Sequence, residues 1–352
     1  MKFVRVRGFF PALALLLIAG CAAMESAPKD APGYTARGYA YLQRGRYDEA
    51  IADYTRALQL NPQFAEAHNG LGLAYGNLGR TERAMEEFNR ALTLDPKHVG
   101  ALTSRAIAYW NLGQLDQAIA DATRALAINP KLEVAYTTRG AAYLDKGRSV
   151  EALADFNRAL EVNPRSALAY YQRGRAYARE KKPEQAVADY TKAIEFDPES
   201  AEAYNARAVA YADRRQFAAA IADLDRALKL DPRSVGAYRN RALIYKAMDD
   251  YDHALADFSR AIELSPKTPD LYAGRAGVYG KQGRHAEAVT DYTQALELNP
   301  RDGLTFANRA AAYLLLRDYE SAWDDVHRGE RLGFKFDPAF LETLKQASGR
   351  DK

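Results

Sequence analysis

Eight prolines, Pro62, Pro96, Pro130, Pro164, Pro198, Pro232, Pro266 and Pro300, recur at an unbroken interval of 34 residues. A chain with that period is an array of like elements in which each contacts its neighbours, not one core wrapped in unlike parts. Nine 34-residue repeats laid end to end from Ala31 finish at Phe336. Position 11 of the repeat is tyrosine in all nine (Tyr41 through Tyr313), position 20 is alanine in all nine (Ala50 through Ala322), and position 8 is always Gly or Ala, as in Gly38, Gly72 and Ala106.

Inside a repeat the apolar spacing is helical. Tyr34, Gly38 and Tyr41 fall at i, i+4 and i+7, one face of a first helix. Gly45-Arg46 breaks the run, a second stripe follows through Ala50, Tyr54, Ala57 and Leu58, and Asn61-Pro62 ends it, because proline disfavours helix in the residue before it. Small residues at positions 8 and 20 let the two helices approach closely, and aromatic residues of the Tyr54 type fill the space beside them. One such pair cannot bury its apolar face, whereas a stack can.

This pattern of Gly/Ala, Tyr, Ala, aromatic, Ala and Pro resembles the tetratricopeptide repeat (TPR) family over residues 31–336. The resemblance implies an all-α, right-handed TPR α-solenoid of nine helix-turn-helix repeats, with a concave groove lined by the first helix of each. The departures are local. Ala122 stands where a bulky residue is usual, Lys181, Arg215, Asp249 and Arg317 replace the glycine of the turn, Pro183 follows the first of these, and the ninth repeat ends in Gly333-Phe334. The array occupies 34–336. Residues 337–352 read as a capping helix and polar tail, with Asp337 as cap, Pro338 in the first turn, and Phe340, Leu341 and Leu344 against the end of the last repeat.

Residues 1–20 have the parts of a secretory signal: Lys2, Arg5 and Arg7, the apolar run Phe9 to Ala19, and small residues at its end. The run is shorter than the roughly 20 residues a spanning helix needs. Ile18-Ala19-Gly20-Cys21 resembles the lipobox of bacterial lipoproteins, which implies that Cys21 is acylated and becomes the N-terminus. Ala22, rather than aspartate, follows it, and in that family this implies an outer-membrane lipid anchor facing the periplasm of a Gram-negative cell. Residues 21–33, rich in small and polar residues with Pro28 and Pro32, then form a tether reaching about 40 Å at most. Cys21 is the single cysteine, so no disulfide remains to hold the fold. Three of the 49 basic residues lie in the leader, so the rest balances the 46 acidic ones and gives no general attraction to nucleic acid.

Two charged ladders follow the period. Position 7 is arginine in eight repeats (Arg37, Arg105, Arg139, Arg173, Arg207, Arg241, Arg275, Arg309) and position 23 is aspartate in the same eight (Asp53, Asp121, Asp155, Asp189, Asp223, Asp257, Asp291, Asp325). The second repeat, with Leu71 and Glu87, breaks both at once, so the ladders read as structural pairs rather than an anion-binding stripe. On that reading Arg173→Ala lowers thermal stability more than partner binding. A third row, Arg56, Arg90, Arg124, Arg158, Lys192, Arg226 and Arg260, reads as a solvated face of the second helices, with anionic lipid as the alternative contact.

No catalytic constellation emerges. Gly70-Leu71-Gly72 with Gly76 has no preceding strand, and no Walker loop, GxSxG elbow or HExxH is present. His68, His98, His253, His285 and His327 occupy five different repeat positions, and none pairs with another at metal-ligand spacing. The expectation is a non-enzyme without metal or cofactor.

At 100° per residue, positions 2, 5, 9, 12 and 13 point away from the core stripe of the first helix, and in the TPR family these line the groove. They supply Tyr39, Leu42, Leu73, Ile107, Trp110 and Leu144 in the first four repeats. Further on come Tyr171, Arg175, Arg179, Arg239 and Lys246, mixed with Asp145, Glu202 and Asp213. The groove therefore changes from apolar to charged, with Trp110 as an anchor of the kind that dominates interfaces. The carboxylate clamp of TPR co-chaperones needs lysine at position 5 and asparagine at position 9, and no repeat has either. The expected function is a scaffold that binds envelope protein segments in its groove during envelope, secretion or pilus assembly. Its alternative is a polysaccharide- or peptidoglycan-binding protein using Trp110, Tyr39 and Tyr171 as stacking platforms, and self-association through the groove or last repeat is a further option.

Overall fold

The computed structural model describes residues 28–349. The signal segment, Cys21 and most of the tether lie outside the described residues. Among these there are nineteen α-helices and no strand. They divide into two compact bodies, one ending at Lys182 and the other beginning at Pro183. The first body contains α1 (Ala31–Gln43), α2 (Tyr47–Leu60), α3 (Ala65–Asn77), α4 (Thr81–Leu94), α5 (Val99–Asn111), α6 (Leu115–Ile128), α7 (Glu133–Asp145), α8 (Ser149–Val162) and α9 (Ala167–Arg179). The second contains α10 (Pro183–Phe196), α11 (Ala201–Asp213), α12 (Phe217–Leu230), α13 (Val235–Ala247), α14 (Tyr251–Leu264), α15 (Pro269–Lys281), α16 (His285–Leu298), α17 (Gly303–Leu315), α18 (Tyr319–Arg331) and α19 (Pro338–Ser348). Odd-numbered helices through α17 are the first helices of the repeats, and even-numbered ones the second.

The repeated ends have local causes. At position 31, Asn61 leaves the helix in an extended conformation imposed by Pro62, and its side-chain oxygen accepts the Gln63 amide hydrogen at 3.1 Å. Asp95, Asn129, Asn163 and Asp231 repeat this turn. Three residues on, Ser166, Ser200 and Ser234 cap the next first helix, each hydroxyl accepting an amide hydrogen at 3.1–3.4 Å. Asp30 does the same for α1, which takes in Ala31, Pro32 and Gly33. The extended tether inferred over 21–33 is thus corrected at its end, where the cap starts the helix three residues early.

The turn inside each repeat needs a left-handed residue. Gly45, Gly79, Gly113, Gly147 and Gly283 hold φ between +71° and +81°. Lys181, Arg215, Asp249 and Arg317, the four departures from glycine, take the same conformation at +55° to +62°. Position 24 of each repeat is buried, as a ring in six repeats and as Ala122, Leu224 and Val326 in the others, and the rings of Tyr54, Phe88, Phe156 and Phe258 are fully buried. Small residues make room for them. A Cβ on Gly72 would stand 2.6 Å from Phe88 Cε1, and one on Gly70 2.3 Å from Tyr54 Cε1. Each ring therefore abuts position 8 of its own repeat and, through Tyr54 and Gly70, position 6 of the next. At the C-terminus α19 closes the ninth repeat. Leu344 is fully buried beside Trp323 and Phe336, and the Trp323 indole N–H donates to Ser348 Oγ at 3.1 Å.

Candidate functional site

The arginine ladder is tied up inside the fold. Arg37, Arg105, Arg139, Arg207, Arg241, Arg275 and Arg309 each fork onto the aspartate 16 residues ahead, with Nε and one terminal nitrogen donating at 2.6–3.0 Å. The other terminal nitrogen reaches 16 residues back into the preceding repeat, from Arg105 to Asn89, Arg139 to Thr123, Arg207 to Thr191, Arg241 to Asp225, Arg275 to Ser259 and Arg309 to Thr293. Arg173 reaches Asn157 in the same way, at 2.7 Å. The acceptor at position 25 is the element that sequence reasoning missed, although a hydrogen-bonding side chain recurs there from repeat to repeat. Arginine faces also lie over ring faces, as with Arg37 above Tyr34 at 5.5 Å. Hydrogen bonds donated to the aspartates raise the pKa of the Arg37, Arg139, Arg207 and Arg275 guanidinium groups, against the cost of burial.

The second repeat rebuilds its rung from other atoms. His68 Nδ1 meets Glu87 Oε2 at 2.6 Å with both side chains nearly buried, and Arg90 donates to the other oxygen at 2.8 Å. The second-helix row is mostly answered on its own helix, where Arg158, Lys192 and Arg260 pair with Glu161, Glu195 and Glu263 at i+3. These are exposed pairs, each contributing about 0–1 kcal/mol.

The groove candidates separate into two groups. Leu42, Leu73, Ile107 and Leu144 are only 2–8% exposed. They are corrected from partner-reading positions to core, because adjacent first helices of this body pack directly on one another and close over positions 9 and 12. Trp110 is half-buried against the Leu144 and Phe156 cluster, and its indole N–H donates to Asp145 Oδ2 at 2.7 Å. The other carboxylate oxygen of Asp145 faces Arg175 at 3.5 Å, Arg175 also donates to Gln172 at 2.6 Å, and Arg179 donates to the Leu144 carbonyl at 2.5 Å. Trp110, Leu144, Arg175 and Arg179 thus come together around Asp145 on the inner edges of α5, α7 and α9. Tyr39 and Tyr171 are half-buried.

In the second body the first-helix face is open. Val209 and Leu243, both at position 9, are 40% and 39% exposed, and Leu304 and Leu315 on α17 are more exposed still. Arg239 is exposed and Lys246 half-buried on the same face of α13. Burial, and then the charge of Lys281, hold the Lys246 ammonium below the usual lysine range. No group of three His, Cys, Asp or Glu among the described residues could hold a metal ion. No helix among them is long and apolar enough to cross a membrane.

Comparison with known proteins agrees with this architecture. Family models described as TPR repeat match residues 38–79 and 140–181. Others described as tetratricopeptide repeat match 65–98, 99–132, 167–200, 189–222, 206–278 and 269–302. No curated protein matches the chain. Among solved structures, a tetratricopeptide repeat protein from Parabacteroides merdae is 22% identical, with 70% of this chain and 98% of that one covered at a TM-score of 0.55. The APC/C hetero-tetramer Cut9-Hcn1 is 16% identical over 90% of this chain and 76% of that one, with a TM-score of 0.62. The human IFIT1 dimer with PPP-AAAA is 16% identical over 86% and 83%, with a TM-score of 0.58. These likenesses concern the fold. The matched repeats, taken with the helix pairs and their turn chemistry, place this chain in the tetratricopeptide repeat family.

Proposed function

We propose that this chain is a lipid-anchored scaffold of the outer membrane, facing the periplasm, that holds segments of envelope proteins on the first-helix face of its second body. Tetratricopeptide repeat arrays are in general non-enzymatic protein-interaction scaffolds, and the ladder here is consumed by structure. The observation that carries the binding reading is the open apolar row of Val209 and Leu243 beside Arg239. Apolar side chains on an open face are a solubility cost that a bound segment removes. The anchor rests on Ile18-Ala19-Gly20-Cys21 and on Ala22. Sugar stacking is disfavoured, because Trp110 packs on the core and its N–H is already donated.

The test is a photo-crosslinking residue at Leu243 in living cells, with Arg158 on the outer surface of α8 as control. A discrete protein captured at Leu243 and absent at Arg158 supports the scaffold. Equal adducts at both positions, or none at Leu243, refute it. The anchor is tested separately. Cys21→Ser should move the protein from the membrane to the soluble fraction and abolish metabolic labelling with palmitate.

A further inference from the structure

The second body carries cations on its first-helix face that the ladder does not use. Arg239, Leu243 and Lys246 lie at i, i+4 and i+7 on α13, one stripe of a single helix. Arg239, Lys246 and Lys281 have no ion pair or hydrogen bond among the described residues. Lys246 crosses to α15 and rests where Gly277 has no side chain, its Nζ 2.8 Å from the point a Cβ would occupy. The Tyr292 hydroxyl, from α16, lies 3.8 Å from that same point. Burial and the like charge of Lys281 both disfavour the Lys246 ammonium. A half-buried cation beside another cation, with no carboxylate to answer it, is an incomplete arrangement that an anion completes. The neighbouring hydroxyl offers a further donor.

We propose that Lys246, Lys281 and the Tyr292 hydroxyl seat a carboxylate side chain of an acidic protein segment, while Leu243 takes an adjacent apolar side chain and Arg239 a second carboxylate. A polypeptide fits better than a small inorganic anion, because an exposed leucine separates the two cationic points and Val209 continues the apolar row on α11. Recognition of this kind discriminates by charge and depends on salt. The proposal rests on the reading that this face binds polypeptide, and it adds the chemistry of what is bound.

Fluorescence anisotropy with the full mature chain tests it, using a labelled peptide of alternating glutamate and leucine and its glutamine-for-glutamate counterpart. The acidic peptide should bind at least about tenfold more tightly than the neutral one, an advantage that added salt reduces. Lys246→Met should remove most of that advantage, Lys246→Arg should restore part of it, and Arg158→Gln on α8 should change nothing. Gly277→Ala, which pushes a Cβ into the ammonium seat, should weaken binding while leaving the fold intact. The Tm of Lys246→Met should equal or exceed the wild-type value, which separates loss of a site from loss of structure. Equal affinity for the two peptides, or affinity untouched by Lys246→Met, overturns the acidic assignment and leaves the scaffold reading standing. Inorganic phosphate that binds through Lys246 while the acidic peptide shows no preference also overturns it, in favour of a free-anion site. Absence of binding by either peptide at millimolar concentration, together with no crosslink at Leu243, refutes both readings.

Discussion

Replacing Arg215 and Arg317 with glycine should make the protein more stable, although both changes delete long side chains. Each residue sits in a left-handed turn, at φ +55° and +62°. That conformation costs an ordinary L-residue about 1–2 kcal/mol. Glycine takes it freely but surrenders about 0.4–1 kcal/mol of unfolded-chain freedom. The difference leaves about 0.5–1 kcal/mol of net gain per site, or about 1–2 kcal/mol for the pair. Neither guanidinium makes an ion pair or hydrogen bond among the described residues, so little is lost with it. Asp249→Gly is an internal control. Its carboxylate accepts from the Tyr251 hydroxyl at 2.6 Å, and aspartate tolerates the left-handed region, so its gain should fall to zero or below. The reverse change, Gly283→Ala, meets no atom within 4 Å and should cost backbone strain alone. Urea midpoints on the single and double variants measure these differences, and hydrogen exchange in α11 and α12 localises the Arg215 effect. If Arg215→Gly destabilises while Gly283→Ala is harmless, turn strain is not what sets stability at these positions.

Three further outcomes are expected. Arg275→Ala should cost about 2–4 kcal/mol by leaving Asp291 nearly buried without its fork, whereas the pair Arg275→Met with Asp291→Leu should cost less, as urea denaturation of both will show. Gly70→Ala should destabilise by about 1–3 kcal/mol, since its Cβ would stand 2.3 Å from the Tyr54 ring, while Gly236→Ala, with open space around it, should stabilise by up to about 1 kcal/mol in the same melts. Lys246→Met should be more stable than wild type at neutral pH, and the gap should narrow as the pH climbs toward 10.5. The folded-state pKa is lowered, so between it and the ordinary value the unfolded chain holds the extra proton and wild-type stability rises with pH. A gap that widens with alkali refutes the burial of that charge.

The sequence disclosed the helices because their punctuation is local. Asn61-Pro62 must end a helix whatever packs on it, and a glycine at Gly45 marks a turn by its own backbone. The ladder was legible for a similar reason, since Arg275 and Asp291 keep a fixed spacing and vanish together in the second repeat. The groove was not. A 100° rotation per residue says which way Leu73 or Ile107 points from its own helix, but not how near the next first helix lies. That distance comes from packing between repeats, and the period is blind to it. The same position 9 is therefore core at Leu73 and open at Leu243. The position-25 acceptors escaped notice because Asn, Thr, Ser and Asp share hydrogen-bonding capacity rather than identity.

The reach of the ladder arginines, 16 residues back and 16 ahead, has a consequence for how such a chain can change length. Both partners lie within one period, so no rung refers to a residue more than one repeat away. Excising residues 235–268 would bring Asp225 to the place that Ser259 holds beneath Arg275, and Asp291 would be undisturbed. Every junction closes on chemistry already in use, since Asp225 already receives Arg241 at 2.5 Å. Gene duplication or loss of a ladder-bearing repeat in a step of 34 residues therefore leaves its rungs closed, and the array can gain or shed binding surface without passing through a broken intermediate.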